Sequence, residues 1–217
     1  MTRFSSRMMS GMKKIDEKAK GYFKYVLALD CETGGVAMQC DDPSYNPKTK
    51  QLYPSISWGI VVLNGSTLKE VESLYLEIKV ADDYAWDPKT EKVHGLTREY
   101  LNKNGLEESE AVEKIANLII KYWGPDGFIS LMGHNVMFDK WFLQRLMRRQ
   151  DIELNFSNRL IDTNSLGYIL LETYTSDELF KLVGLPKRND HNALEDIKHT
   201  IEVARRLRNI FQAAVMG

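Results

Sequence analysis

The stretch YVLALDCETGG, residues 25 to 35 of a 217-residue chain, sets the tightest limit on the fold. Tyr25, Val26, Leu27, Ala28 and Leu29 are apolar at successive positions. A strand that is apolar on both faces has to lie inside a sheet covered on both sides, so a buried strand is predicted over residues 25–30. The run ends in two acids one residue apart, Asp30 and Glu32. Side chains alternate along a strand, so these carboxylates share one face and Cys31 takes the other. At the C-terminal end of such a strand they face the crevice where α/β sheets take ligands. In a dry site the two acids repel and one is driven toward protonation. A divalent cation that prefers hard oxygen ligands, Mg²⁺ or Mn²⁺, removes that difficulty. An exposed acidic strand end is the bland alternative.

Downstream, residues 34–54 carry Pro43, Pro47 and Pro54 without periodicity, which predicts a long loop. SISWGIVVLNG predicts a second strand with a hairpin turn at Asn64-Gly65, and KEVESLYLEIKV its partner. The period then lengthens. EESEAVEKIANLIIKYW places Ala111, Ile115, Leu118, Ile119 and Tyr122 at helical spacing, with Ser109 as a candidate N-cap. FISLMGHN predicts a short strand, VMFDKWFLQRLMRRQ a helix and NRLIDTNSLG a further strand. A last helix is expected from about Ala193 toward Phe211. Hairpins early and crossover helices late imply an α/β fold, with one mixed sheet and helices packed on it.

Two further places carry acids where they are costly. Asp139 sits in a helix beside Met137, Phe138, Trp141 and Phe142, where a carboxylate needs a partner, a metal or the helix dipole. In NDHNALEDIKHTIEVARRL, His191 stands at a helix entrance and Asp196 about one turn inside. A histidine that can swing beside a fixed aspartate suits a general base next to a metal ligand. His191 could equally be an exposed cap residue, and Asn192 could do the capping.

In this order the motifs resemble the DEDDh family of 3′-5′ exonucleases, related to the proofreading subunit of bacterial replicative polymerase, ribonuclease T and oligoribonuclease. LDCETGG carries Asp30 and Glu32, GHNVMFD carries Asn135 and Asp139, and HNALED carries His191 and Asp196. VHGLT (93–97) and IDT (161–163) resemble ancillary stretches of the family, and the likeness spans roughly residues 24 to 210. It implies a ribonuclease H-like fold with a five-stranded mixed sheet flanked by helices. It implies that Asp30, Glu32, Asp139 and Asp196 ligate two Mg²⁺ or Mn²⁺ ions, with His191 as the base that takes a water's proton. It also implies that Cys31, Thr33, Gly34, Asn135 and His94 contact substrate. The reaction implied is removal of nucleoside monophosphates from a free 3′ end, with single-stranded DNA favoured. An RNA-trimming enzyme, a phosphohydrolase of small phosphoesters and a silent nucleic-acid-binding module are the alternatives. The family has threonine after ET in many members, where this chain has Gly34.

Composition adds limits. A net charge of −1 argues against a wholly basic nucleic-acid coat. Basic residues do gather in an N-terminal arm, 1–22, ahead of a domain over 23–217, and the arm would be solvated or touch a nucleic-acid backbone. Cys31 and Cys40 are the only cysteines, so a disulfide framework is not expected and a reducing cytoplasm is. No apolar run reaches the roughly 18 residues of a membrane span, and no secretory leader is evident. A replication or repair partner is expected, and the oligomeric state is open. Tyr45, Tyr53 and Trp86 are candidates for stacking on bases, while Trp58 and Trp141 fit a core better. Lys140, Arg145, Arg148 and Arg149 form a basic patch that is either a solvated face or a phosphate contact.

Overall fold

The first strand, β1 (Tyr25–Thr33), runs four residues past the apolar stretch, so that Asp30 and Glu32 are part of the strand itself. The structure, a computed structural model, describes residues 23–37, 43–46, 48–186 and 191–216. The basic arm, 1–22, and Cys40 lie outside the described residues. The remaining strands are β2 (Tyr45–Asn46), β3 (Gln51–Leu52), β4 (Ser55–Asn64), β5 (Glu70–Glu77), β6 (Leu131–Gly133) and β7 (Ile161–Asp162). The helices are α1 (Glu91–His94), α2 (Arg98–Asn104), α3 (Glu108–Trp123), α4 (Val136–Arg148), α5 (Thr163–Leu171), α6 (Ser176–Leu182) and α7 (Ala193–Met216).

Five strands form one mixed sheet in the order β5-β4-β1-β6-β7. β4 pairs antiparallel with both β1 and β5, whereas β6 runs parallel to β1 and β7 parallel to β6. The alternation of β1 divides the core. Leu27, Leu29 and Cys31 pack with residues of α3 and α4, such as Ile115 and Phe142, on one face. Val26 and Ala28 pack with Ile197, Ile201 and Ala204 of α7 on the other. By period, Asp30 and Glu32 belong to the α7 face.

Three local expectations are corrected. The stretch 34–54 is not featureless, because β2 and β3 pair as a small antiparallel hairpin within it. The turn after β4 is not a two-residue Asn-Gly turn. The Asn64 N–H donates to the Lys69 carbonyl, and the Asn64 side chain accepts from the N–H groups of Ser66 (3.2 Å) and Thr67 (3.0 Å), which opens a four-residue loop. An Asx-type side-chain bond offered the backbone an alternative there. The N-cap of α3 is Glu107 in extended conformation, two residues before Ser109.

What positions the site is the landing of α7 on the sheet. Gly59 is paired with Asp30 across the β1–β4 ladder. A Cβ on Gly59 would lie 2.2 Å from both the carbonyl carbon and oxygen of Ala193, the first residue of α7. Only glycine admits this approach of helix end to strand. Gly59→Ala is expected to cost about 1–3 kcal/mol through overpacking. In a chain of this size that lowers the melting temperature by roughly 2–4 °C per kcal/mol. Thermal unfolding without divalent ions measures it, and an unchanged midpoint would mean that α7 is not seated by this contact.

Candidate active site

Four elements meet at the open end of β1. A pocket of about 220 Å³ is lined by Asp30, Cys31, Glu32, His134, Ser176, Phe180, His191, Asp196 and Thr200. Ligand atoms of Glu32, His191 and Asp196 lie within 4.8 Å of one another. The ladder shifts register between Glu32 and Thr33, and such an irregularity re-aims the side chains at a strand end.

Asp196 is nearly buried and His191 is partly open, with His191 Nδ1 3.6 Å from Asp196 Oδ2, beyond a good hydrogen bond. The capping of α7 falls to Asn192, whose Oδ1 accepts from Leu194 N–H (3.1 Å) and Glu195 N–H (3.2 Å). His191 is therefore not needed to cap the helix.

Asp139 arrives from the opposite face. It lies in the first turn of α4 and is 3% exposed. Its Oδ1 accepts from the Cys31 N–H at 2.9 Å, the peptide group between Asp30 and Glu32. Burial pushes its carboxyl up to about 7, Glu32 adds to the rise, and the Cys31 hydrogen bonds oppose it. The Cys31 thiol is raised by burial first, then by Asp139 and Asp30. It packs in the core with Trp58, so the Cys31 peptide N–H is what ties Asp139 to the strand end.

Thr33 and Gly34 are buried at the following turn. The Gly34 N–H donates to the Pro54 carbonyl (2.9 Å), and its own carbonyl accepts from Asp87 N–H (2.7 Å). A Cβ at position 34 would lie 2.5 Å from the Trp86 ring. Trp86 therefore fills the place of a threonine side chain, which accounts for the glycine. His94 is buried, and its Nδ1 accepts from Leu96 N–H at 3.1 Å. Burial holds its imidazole below the usual value, with Thr33 and Glu91 pulling the other way and His191 adding to the lowering. Asn135 is exposed in left-handed conformation (φ 59°) ahead of α4, and its N–H donates to Asp162 Oδ1 at 2.9 Å.

Asp162, within the IDT stretch, is a residue the sequence did not single out. Its carboxylate also accepts from Val136 N–H (3.2 Å) and Asn164 N–H (2.9 Å), so it joins the starts of α4 and α5. His134, Ser176, Phe180 and Thr200 on the pocket wall had no sequence signal beyond the neighbouring motifs. Two members of the basic patch are ion-paired. Arg148 pairs with Glu153, Arg149 with Asp83 and Glu108, and Lys140 lies over the Phe156 ring. Trp58 is fully buried as expected, and Trp141 is partly buried. Tyr45 is exposed and Tyr53 partly buried.

A family model for exonucleases, of the ribonuclease T type, matches residues 27–204. The oligoribonuclease of Photorhabdus laumondii is 31% identical over 116 residues, covering 54% of this chain and 60% of that protein. The oligoribonuclease of Actinobacillus pleuropneumoniae is 32% identical over 142 residues, covering 65% of this chain and 71% of that protein. The PolC-type DNA polymerase III of Thermotoga maritima is 27% identical over 191 residues, which are 87% of this chain but 12% of the polymerase. The chain thus spans less than two thirds of some of its relatives. Among solved structures, Escherichia coli exonuclease I with a dT13 oligonucleotide aligns at a TM-score of 0.68 with 19% identity, covering 88% of this chain and 43% of that one. A 3′-exonuclease with 3′-end-specific recognition of histone mRNA stem-loop aligns at 0.65 with 14% identity, covering 92% and 70%. At these identities the structures establish the fold, which is ribonuclease H-like as expected.

The Asp139 shift has a definite sign. Its folded value lies above the ordinary carboxylate value of 3.8, so the native state binds more protons than the unfolded chain between about pH 4 and 7. Stability is therefore lost as pH rises through that window. Without divalent ions, the melting temperature should fall from pH 4.5 to 8, roughly the flanks of that window. Asp139→Asn should flatten most of the slope, and an equally steep profile in that variant would place the titrating group elsewhere.

Proposed function

The chain belongs to the exonuclease family matched over residues 27–204, and from that premise we propose that it is a metal-dependent 3′-5′ exonuclease. It releases nucleoside monophosphates from the 3′ end of nucleic acid, with single-stranded DNA favoured. The observation that carries the reading is the convergence of Glu32, His191 and Asp196 within 4.8 Å, on the pocket that Asp30 also lines.

The donors fit a divalent cation. Carboxylate oxygens from β1 and α7 share one small pocket, and Asp139 lies buried behind them, bonded to the Cys31 N–H. Asp30, Glu32, Asp139 and Asp196 would hold two Mg²⁺ or Mn²⁺ ions. When bound, these supply positive charge to the reacting phosphodiester and to the crowded carboxylates. His191, partly open at the pocket wall, accepts the proton of the attacking water. A bond from the water oxygen to phosphorus forms as the bond to the leaving 3′-oxygen breaks. Thr33, Asn135, His94 and the Gly34–Trp86 contact shape the adjoining wall, where the terminal nucleotide would lie.

A second reading, exoribonuclease, has its own support in the two oligoribonucleases at 31% and 32% identity. The oligonucleotide bound to exonuclease I supports single-stranded DNA instead. Contact with a 2′-hydroxyl would separate them. The match to a segment of a DNA polymerase supports a replication or repair partner, and the buried free thiol of Cys31 suits the reducing cytoplasm. Among the described residues no helix is long and apolar enough to cross a membrane.

The test is digestion of matched single-stranded DNA, RNA and duplex, labelled at the 5′ end, with Mg²⁺ and with Mn²⁺. A ladder shortening from the 3′ end is expected, and intact strands under every condition would sink the reading. His191→Ala should lower the rate about 10²- to 10⁴-fold. It should keep the rise in melting temperature that divalent ions give the wild type, about 2.7 kcal/mol at 100 times Kd. Loss of that rise in the variant would make His191 a ligand rather than a base.

A further inference from the structure

Tyr174 stands out among the exposed aromatic side chains. Its side chain is open to solvent, 65% exposed, while its peptide is held on two sides. The Tyr174 carbonyl accepts from Asn164 Nδ2 at 2.8 Å and meets His134 Nε2 at 3.1 Å. His134 lines the acid pocket, and its other ring nitrogen lies 3.1 Å from Thr163 Oγ1, which in turn bonds the Gly133 carbonyl at 3.2 Å. Two residues on, Ser176 lines the same pocket. The backbone that carries this exposed ring is thus anchored beside the candidate active site. Tyr168 and Phe128 are as exposed.

These bonds satisfy a backbone carbonyl and at the same time fix where the exposed ring is attached beside the pocket. A flat apolar surface is thereby kept at the pocket, with the backbone part of its ordering already done before binding. Glu172, Asp177 and Glu178 flank the ring in sequence, and these acids oppose a phosphate contact. The face of a base carries no such charge, and stacking on an aromatic side chain tolerates any base. We propose that Tyr174 is a stacking platform for a nucleobase of the incoming strand, near its 3′ end, and that His134 and Asn164 are its positioning residues. This rests on the exonuclease reading above and adds a substrate contact to it.

Steady-state digestion of a 5′-labelled single strand tests it. Tyr174→Ala is expected to raise KM roughly 5- to 100-fold with kcat little changed, the range that loss of one stacked base gives. Tyr174→Phe keeps the ring and should restore the wild-type KM. For the wild-type enzyme, an abasic nucleotide walked through the positions nearest the 3′ end should reproduce the loss at one position. Tyr174→Ala should show no further loss there. His134→Ala and Asn164→Ala should raise KM in the same sense. A wild-type KM in Tyr174→Ala would overturn the proposal while leaving the exonuclease reading in place. So would a change of molar mass, by light scattering, without a change of KM, because the ring would then serve a protein partner. A wild-type enzyme that digests no strand would overturn both together.

Discussion

Crowding of carboxylates at the end of one buried strand is the constraint that organises this molecule. Asp30 and Glu32 leave β1 on the α7 face, Asp196 approaches from α7, and Asp139 comes through from α4 to bond the peptide between the first two. Burial pushes Asp139 toward neutrality, and the nearby charge of Glu32 adds to the rise. The fold tolerates this because the acids are attached to elements fixed by other contacts. α7 is seated by Ile197, Ile201 and Ala204 on the sheet, and α4 by Phe142, Leu143 and Leu146 on its other face. The apolar layers hold the acids together against their own repulsion, which the cations of the proposed function would offset.

The close approach at Gly59 shows how far a local sequence reading reaches. The apolar run of β1, the alternation of its acids and the period of α3, α4 and α7 were all legible, because each is written in a few neighbouring residues. The role of Gly59 was not. A glycine in the apolar run ISWGIVV has no local mark of the helix end that will press on it, since that contact joins residues 59 and 193. Asp162 was hidden for a similar reason. It was noticed as part of a motif, but its three N–H partners belong to the starts of two helices. The Asn64-Gly65 pair misled in the opposite way, because the Asn64 side chain made its own turn bonds and displaced the tight turn that the dipeptide favours. The capping of α7 by Asn192, left open in the sequence, was settled by geometry.

The site's charge balance bears on how a strand would be gripped. Arg148 and Arg149, the cations that the sequence offered for phosphates, are tied to Glu153, Asp83 and Glu108 across the α3–α4 side. Arg149 also lies over the Tyr84 ring, 4.5 Å from its centre, so it serves to fasten the 83–84 segment to that side. The Gly34 peptide is likewise occupied on both its N–H and its carbonyl. In the function proposed above, the grip on a strand end therefore rests on the acid cup and its adjoining wall rather than on Arg148 or Arg149. In that reading a terminal nucleotide would enter the pocket of about 220 Å³, which the interior of a strand has no free end to fill.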